Sequence, residues 1–524
     1  MPISALSPLV LGVMLLTLVL APSNDAAQVR PAAVAGSFYP ADRDELSKTV
    51  DGLLAAAHGA PVQGHLWAIV SPHAGYQYSG AVAAHSYALL KGQNFRRVVV
   101  IAPSHYESFA FASIYDGDAY STPLGQVPVD KTFAAKLARA TPALRLSSRG
   151  HTPSRGQSEH ALEVQLPFLQ RALGDFQLVP IVMGEQSYAL SRALGIALAK
   201  LSTPDTLIVA SSDLSHFHKY EEANALDRKP LRAVQAWDYF SLSRNFAAGA
   251  WEACGGGPIV AAMIAAEHLG ATEAALLKYA NSGDVTGDRS RVVGYAAAAL
   301  VQPASHRPAK FADYSLPQRD RAELLNLARR SVETAVRQRT MLDSVAQPDS
   351  DLLLDERGAF VTLTKRGQLR GCIGYVNALK PLYLTVRDVA AFAAMRDPRF
   401  PPVAPAELGD LEYEVSVLSS FRRVTDVKQI EIGRHGLFIK KGDIEGVLLP
   451  QVPVDERWDR KTFLEQVCRK AGLPPNAWRD DDTDLFMFTA LVFGERRASS
   501  VAPTDPPLWT PAAPPTPAPV PPPR

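Results

Sequence analysis

The stretch L-I-V-A-S-S-D-L-S-H-F-H at residues 207–218 decides the fold. A short apolar, β-rich run from Leu207 to Ala210 stops on two serines and opens into a loop carrying Asp213, His216 and His218. Working outward, the same form occurs twice more. Leu66 to Val70 leads into S-P-H-A-G-Y-Q-Y-S-G with His73, and Val98 to Ala102 leads into A-P-S-H-Y with His105. Further apolar runs lie at Leu178 to Val182 and Val292 to Leu300. Helical patterns stand between the runs at Gly80 to Leu90, Ala161 to Leu173, Tyr188 to Leu201 and Ile259 to Leu269. This alternation predicts an α/β domain with a parallel or mixed sheet and helices on its faces. In open sheets of this kind ligands sit beyond the carboxyl ends of the strands, so the three loops are expected to meet in one crevice.

One histidine after a strand is usually a solvent-facing or hydrogen-bonded loop residue. Three in the same position weaken that reading. Cys254, in A-C-G-G-G-P-I, adds a thiol before an apolar helix, where a thiolate gains from the helix N-terminus. Its alternative is a small core residue, but the glycines favour a close backbone approach. Imidazole and thiolate ligands suit Fe(II), Cu or Zn, and the chain has no oxygen-rich loop for Ca or Mg. Blue copper also uses such a set, but clusters it largely on one loop of a β-sandwich, whereas here the candidates are scattered over an α/β sheet. In S-E-H-A-L-E-V, Glu159, His160 and Glu163 offer a carboxylate or general base; alternatively they are acidic residues placed for a helix dipole. His160 and Glu163, three apart, are expected to share a helix face.

P-H-A-G-Y-x-Y-S-G, A-P-S-H, S-E-H-A-L-E-V-Q-L-P-F-L, S-S-D-L-S-H and C-G-G-G-P-I, in this order and preceded by A-G-S-F-Y-P at 35–40, resemble the Memo family, protein B of the AmmeMemoRadiSam system in bacteria. The resemblance covers roughly 29–302. It implies a fold like that of the class III extradiol dioxygenases, which use non-haem iron. It also implies one transition-metal ion, Fe(II) favoured over Cu or Zn, held by His73, His105 and Cys254, with Asp213 and His216 beside it as proton-transfer groups. Phe38, Tyr76, His160 and Glu163, within the same motifs, are candidates for substrate contact. The extradiol enzymes use two histidines and a glutamate, so a cysteine in the third place counts against ring cleavage.

After a linker at 303–317 the order changes to a polar-faced helix from Gln318 to Gln338, a hairpin near Ala359 to Tyr375, a helix near Pro381 to Met395 and further strands, the last at Leu485 to Phe493. A separate α+β domain over 318–498 is expected. L-R-G-C-I-G-Y at 369–375, A-A-M-R-D-P-R-F-P-P-V, L-E-Y-E-V-S-V-L-S and G-L-F-I-K-K-G resemble the AMMECR family, protein A of the same system. Arg370, Gly371 and Cys372 set a cation, a flexible backbone point and a thiol side by side, as an anion-binding turn or nucleophile site would. Alternatively Cys372 is an ordinary strand cysteine, since nothing ties a histidine base to it. Arg396, Asp397 and Arg399 read as a structural ion-pair cluster, and Cys468 as core packing.

The 524 residues suit two or more domains at about 150 residues each. With 54 basic against 53 acidic residues the net charge is +1, which supplies no field to draw nucleic acid or anionic lipid, so no nucleic-acid partner is expected. Three scattered cysteines form no disulfide framework. Residues 1–28, with an apolar run from Leu9 to Ala21, read as a signal peptide or an uncleaved membrane anchor, which would be the chain's only membrane contact. Export to the periplasm or membrane follows from that; the alternative is a cytoplasmic protein. Residues 499–524 read as a disordered Pro-rich tail. The functions in view are a metal-dependent enzyme, oxygenase-like or hydrolytic, acting on a small molecule or peptide, and a non-catalytic scaffold working with a radical-SAM partner.

Overall fold

The computed structural model describes residues 28–58, 62–153, 156–304, 314–377 and 379–495. The expectations for the leader (Gln28 apart), for the tail and for most of the linker fall outside the described residues. Among those described, no helix is long and apolar enough to cross a membrane.

The five apolar runs form β1 (His65–Ser71), β2 (Arg97–Pro103), β3 (Gln177–Met183), β4 (Thr206–Ser211) and β5 (Val292–Gln302). Within a nine-stranded sheet their order is β5-β1-β4-β2-β3. The last four are mutually parallel, and β5 runs antiparallel to β1. Both faces of this sheet are covered, which is why its strands read as unbroken apolar runs with no polar alternation. Val99 and Ile101 enter one core cluster, and Val98 and Val100 the other.

Helix α1 (Tyr76–Ala88) contributes Ala83, Ala84 and Tyr87 to the second cluster. The opposite face carries α2 (Tyr188–Leu201), α3 (Tyr239–Ala247) and α4 (Gly256–His268). Ser187 caps α2 by accepting from the Leu190 N–H. Every residue of α4 from Gly256 to Ala266 is buried, and so the helix is apolar all round.

The region 161–173 departs from expectation. Glu163–Gln165 is a 3-10 turn, and the α-helix begins only at Leu166–Leu173, where Pro167 in the first turn favours a start. His160 precedes the turn, so it does not share a helix face with Glu163.

The second domain is α+β. Strands β6 (Ala359–Lys365), β7 (Gln368–Tyr375), β8 (Leu411–Leu418), β9 (His435–Lys441), β10 (Ile444–Leu448) and β11 (Thr483–Gly494) form an antiparallel sheet in the order β7-β6-β8-β11-β9-β10. Helices α5 (Gln318–Gln338) and α6 (Leu382–Met395) join its core, α5 through Leu324, Ala328, Val332 and Val336 at spacings of four. A Cβ on Gly371 would strike the Ala393 carbonyl of α6, so only glycine fits where helix and hairpin meet.

This domain is not separate in its packing. Phe240 of α3 lies among Phe421, Phe438 and Phe486, with ring centroids 5.8, 4.9 and 5.1 Å away. One hydrophobic cluster thus runs from the β2 residue Val99 to Phe488 of β11. Polar pairs rim the contact. Glu267 accepts from Arg423 at 2.8 Å and from the Tyr239 hydroxyl at 2.9 Å, and Asp484 accepts from Arg192 at 2.7 Å and from the Tyr188 hydroxyl at 2.9 Å. Each buried charge there has its partner, as burial requires.

Candidate metal centre

The sheet order explains why the three loops converge. Strand β4 lies between β1 and β2, all three parallel, with Ala210 in register with Val70 on one side and Ile101 on the other. The loops carrying His73, Asp213 and His105 therefore leave the same end of three adjacent strands. The segment before α4 closes on them from the side. A Cβ on Gly255 would strike the Ser211 carbonyl, so glycine is needed to bring Cys254 against the end of β4.

The ligand atoms of His73, His105 and Cys254 all lie within 4.8 Å of one another. Their surroundings orient them as ligands. The Ser211 hydroxyl donates its only proton to the Ala161 carbonyl (2.6 Å) and accepts from the Gln165 amide (2.7 Å). It must also accept from His73 Nδ1, 2.7 Å away, so this imidazole carries its proton on Nδ1 and turns the Nε2 lone pair inward. His105 Nδ1 faces Glu159 Oε1 at 2.9 Å, and Glu159 Oε2 takes the His105 backbone N–H at 2.6 Å, which leaves Nε2 of His105 free as well. A carboxylate or hydroxyl behind the far ring nitrogen is the usual support of a metal-bound histidine.

Cys254 Sγ is 3.0 Å from His73 Nε2 and accepts the Asp213 backbone N–H at 3.1 Å. Burial pushes its thiol well above the ordinary range, so without a metal the sulfur keeps its proton beside the imidazole. Burial, helped by the neighbouring His105, holds His73 neutral. For His105 burial works the other way from Glu159, and the carboxylate prevails, raising the ring. Glu159 in turn is buried, yet its bonds from His105 hold it down at about 2. Two imidazole nitrogens and one sulfur, converging and supported from behind, fit a borderline or soft transition-metal ion.

Asp213 lies beneath the ligands, with Oδ1 accepting the His73 backbone N–H at 2.7 Å. Burial raises its carboxyl, against the pull of that bond. The His216 ring turns Nδ1 to the Leu214 carbonyl at 2.8 Å, and its backbone N–H reaches Glu252 at 3.3 Å. No hydrogen bond joins Asp213 to His216 among the described residues, so the structure does not make them a bonded pair. His160 stacks on His105 with centroids 4.6 Å apart and touches Phe38 at 4.5 Å. Among the described residues its buried Nδ1 makes no hydrogen bond and lies 3.6 Å from Glu159 Oε1, and burial pushes the ring down to about 3. His105, Glu159 and His160 form a second close group, in which Glu159 is engaged with the His105 ring.

Two substrate-contact candidates, Glu163 and Tyr76, are buried and bonded within the protein. Glu163 is fully buried against Arg30, the Tyr39 hydroxyl and the backbone of Ala33 and Val34. Tyr76 is buried, and its hydroxyl donates to the Val164 carbonyl at 2.7 Å. Both are held inside the first domain by internal hydrogen bonds.

In the second domain Arg370 pairs with Glu407 at 2.9 Å. The Cys372 backbone N–H donates to Asp397 at 2.8 Å, Asp397 pairs with Arg399, and burial raises the Cys372 thiol. No histidine is bonded to Cys372 among the described residues. Cys468 is fully buried. Sequence reasoning passed over Ser211, Gln165 and Glu252, since a serine at a strand end or a glutamate in a loop has no distinguishing local pattern.

His73, His105 and Cys254, a His/His/Cys group that could hold a metal ion, meet at the carboxyl ends of parallel strands in a mixed α/β sheet. The family model for Memo-like protein matches residues 30–299, and that for AMMECR1 matches residues 325–493. A MEMO1 family protein of Methanopyrus kandleri is 38% identical over 283 residues, covering 51% of this chain and 97% of that protein. A protein of Thermococcus kodakarensis is 44% identical over 182 residues, 33% of this chain and 88% of that one. A solved structure, an uncharacterized protein of Pyrococcus horikoshii, is 39% identical, with 33% of this chain and 90% of that chain covered and a TM-score of 0.32. The chain belongs to the Memo-like family and carries an AMMECR1 domain in the same polypeptide.

Proposed function

We propose that the first domain is a metal-dependent enzyme whose ion, Fe(II) in preference to Cu or Zn, is held by His73, His105 and Cys254. The observation that carries this is the fixed tautomer of His73, whose Nε2 lone pair is aimed at the cysteine by a hydrogen-bond chain ending in Ser211, Gln165 and Ala161. Three protein ligands leave a coordination position open, which favours catalysis over a structural role. The exposure of the donors is graded accordingly: His73 is buried, Cys254 half-buried, and His105 reaches solvent.

Bound there, the ion would supply Lewis acidity or a site for dioxygen, the chemistry of the extradiol-dioxygenase-like fold this domain resembles. The protein's own residues orient and transfer protons. Asp213 fixes the His73 loop through its backbone. His160, whose buried Nδ1 makes no hydrogen bond and lies 3.6 Å from Glu159 Oε1, and His216, on the rim, are the groups that would exchange a proton with a small bound molecule.

Metal analysis of protein purified without added metal, beside His73→Ala, His105→Ala and Cys254→Ser, tests the assignment. Loss of metal in each variant is expected; full occupancy in all three would sink it. Oxygen-uptake and hydrolysis screens of the loaded protein then separate the enzyme from a scaffold. In such a screen His216→Gln should retain the metal and lose turnover by about a hundredfold.

A further inference from the structure

We infer that Glu356, in the second domain, is a positioning residue for the metal centre, acting through Trp251; this rests on the metal-site reading above. Segment 248–255 joins α3 to α4 and makes three attachments within four residues. Trp251 Nε1 donates to Glu356 Oε2 at 2.6 Å. Glu252 holds His218 Nε2 at 2.9 Å and the His216 backbone N–H at 3.3 Å. Cys254 meets His73 and Asp213. The domain contact, the rim histidines and the metal ligand are thus strung along a few residues of one chain segment.

The composition of the segment, A-G-A-W-E-A-C-G, makes the indole its main anchor. Trp251 is its sole large apolar side chain, and it is 7% exposed within the shared core cluster. The Ala250 and Trp251 N–H groups bond the Asn245 carbonyl at 2.9 and 3.3 Å, and the Gly255 N–H bonds the Ser212 hydroxyl at 3.0 Å, so the two ends are tied. Cys254 is itself held by its N–H on the Asp213 carbonyl at 3.2 Å and by Gln186 Nε2 on its own carbonyl at 2.7 Å, and the Trp251 indole, three residues before it, sets how the chain between them approaches that point. An indole has one donor and no acceptor, and a buried donor needs a partner.

The partner is a carboxylate from the other domain, itself only 10% exposed and held on its second oxygen by Lys229 Nζ at 2.6 Å. Such a charge-assisted bond is stronger and more directional than a neutral one. Removing Glu356 strands the buried indole N–H and lets the ring shift, which loosens the segment's approach and with it the seat of the sulfur beside His73. The neighbouring pair Arg232 and Asp355, 3.1 Å apart with Arg232 largely exposed, crosses the same contact without touching the segment and serves as the control.

The experiment uses the full chain as wild type, Trp251→Phe, Glu356→Ala and Arg232→Ala. In metal-free protein the rate of iodoacetamide labelling is followed at each cysteine. Cys254 should label several-fold faster in Trp251→Phe and Glu356→Ala and at the wild-type rate in Arg232→Ala, while the core thiol Cys468 stays unreactive in all. Unchanged Cys254 rates in both variants would overturn the inference, and so would Cys468 accelerating in step, which would mean general loosening. Cobalt(II) titration gives the second readout: the thiolate-to-cobalt absorption band should form with affinity about tenfold weaker in the two variants, the scale of losing support behind a metal ligand. A wild-type protein with no such band would remove the metal reading, and the labelling rates would still decide whether Glu356 holds the segment.

Discussion

Ser211 shows how one hydroxyl sets the chemistry of a neighbour. Its proton is committed to the Ala161 carbonyl, and it can only accept from His73. Ser211→Ala should leave the sheet intact and free the His73 ring to turn or change tautomer, weakening metal affinity by about tenfold. Chelator competition measures this, and equal affinities would refute the tautomer argument. Glu407 offers a test of another kind. Its carboxylate is pulled down to about 2, chiefly by the bond from Arg370 and then by the Ala404 backbone N–H and Lys365. A carboxylate depressed on folding contributes stability that is present above its unfolded value, near 4.5, and lost as pH falls towards 2. The stability gap between wild type and Glu407→Gln should therefore be full at pH 6 and shrink steadily below pH 4.5. Urea midpoints across that range give the measurement, and a gap independent of pH would show that Arg370 is not its cause.

At the scale of elements, much of the first domain is legible in the amino-acid sequence. Fully buried parallel strands must be apolar on both sides, so Val98 to Ala102 and Leu207 to Ala210 stand out, and the loop residues after them follow from the position of the run. The C-G-G-G turn is legible through its glycines: only glycine at position 255, next to Cys254, can lie against the Ser211 carbonyl. Gly255→Ala should cost about 1 to 3 kcal/mol by overpacking, and should release metal at the same time. Thermal unfolding with metal analysis checks both, and a variant that keeps its metal would place the close approach elsewhere. Other features leave no local trace. Glu163 and Tyr76 sit in motifs that look like a binding face, but their partners Arg30 and Val164 come from segments whose proximity only the fold reveals. The 3-10 turn at Glu163–Gln165 breaks a periodicity that reads as one helix. Helix α3 shows aromatic and polar residues without an evident role, because what buries Phe240 is a different domain.

For the whole molecule, two domains are legible in the sequence, and the family models match one on each side of residue 303, but how the domains meet is not. Phe240→Ala should empty the aromatic contact and cost about 3 to 5 kcal/mol, the scale for a large buried aromatic. The shared core makes one calorimetric transition the expected behaviour of the wild type, with Phe240→Ala separating it into two. Two transitions in the wild type would show that the contact adds little coupling.

The contact between Phe240 and the second domain's phenylalanines has a consequence for the protein in pieces. Cut at 303–317, each half would present an apolar face flanked by unmatched charges, Glu267 and Arg192 on one and Arg423 and Asp484 on the other. Those charges are complementary by position as well as sign, so the two fragments, produced together, should find each other and reassemble without a covalent connection. Recovery of the N-terminal fragment on a tagged C-terminal one, abolished by reversing the charge at Arg423, would make this pair a natural split-protein system in which metal loading reports the reunion.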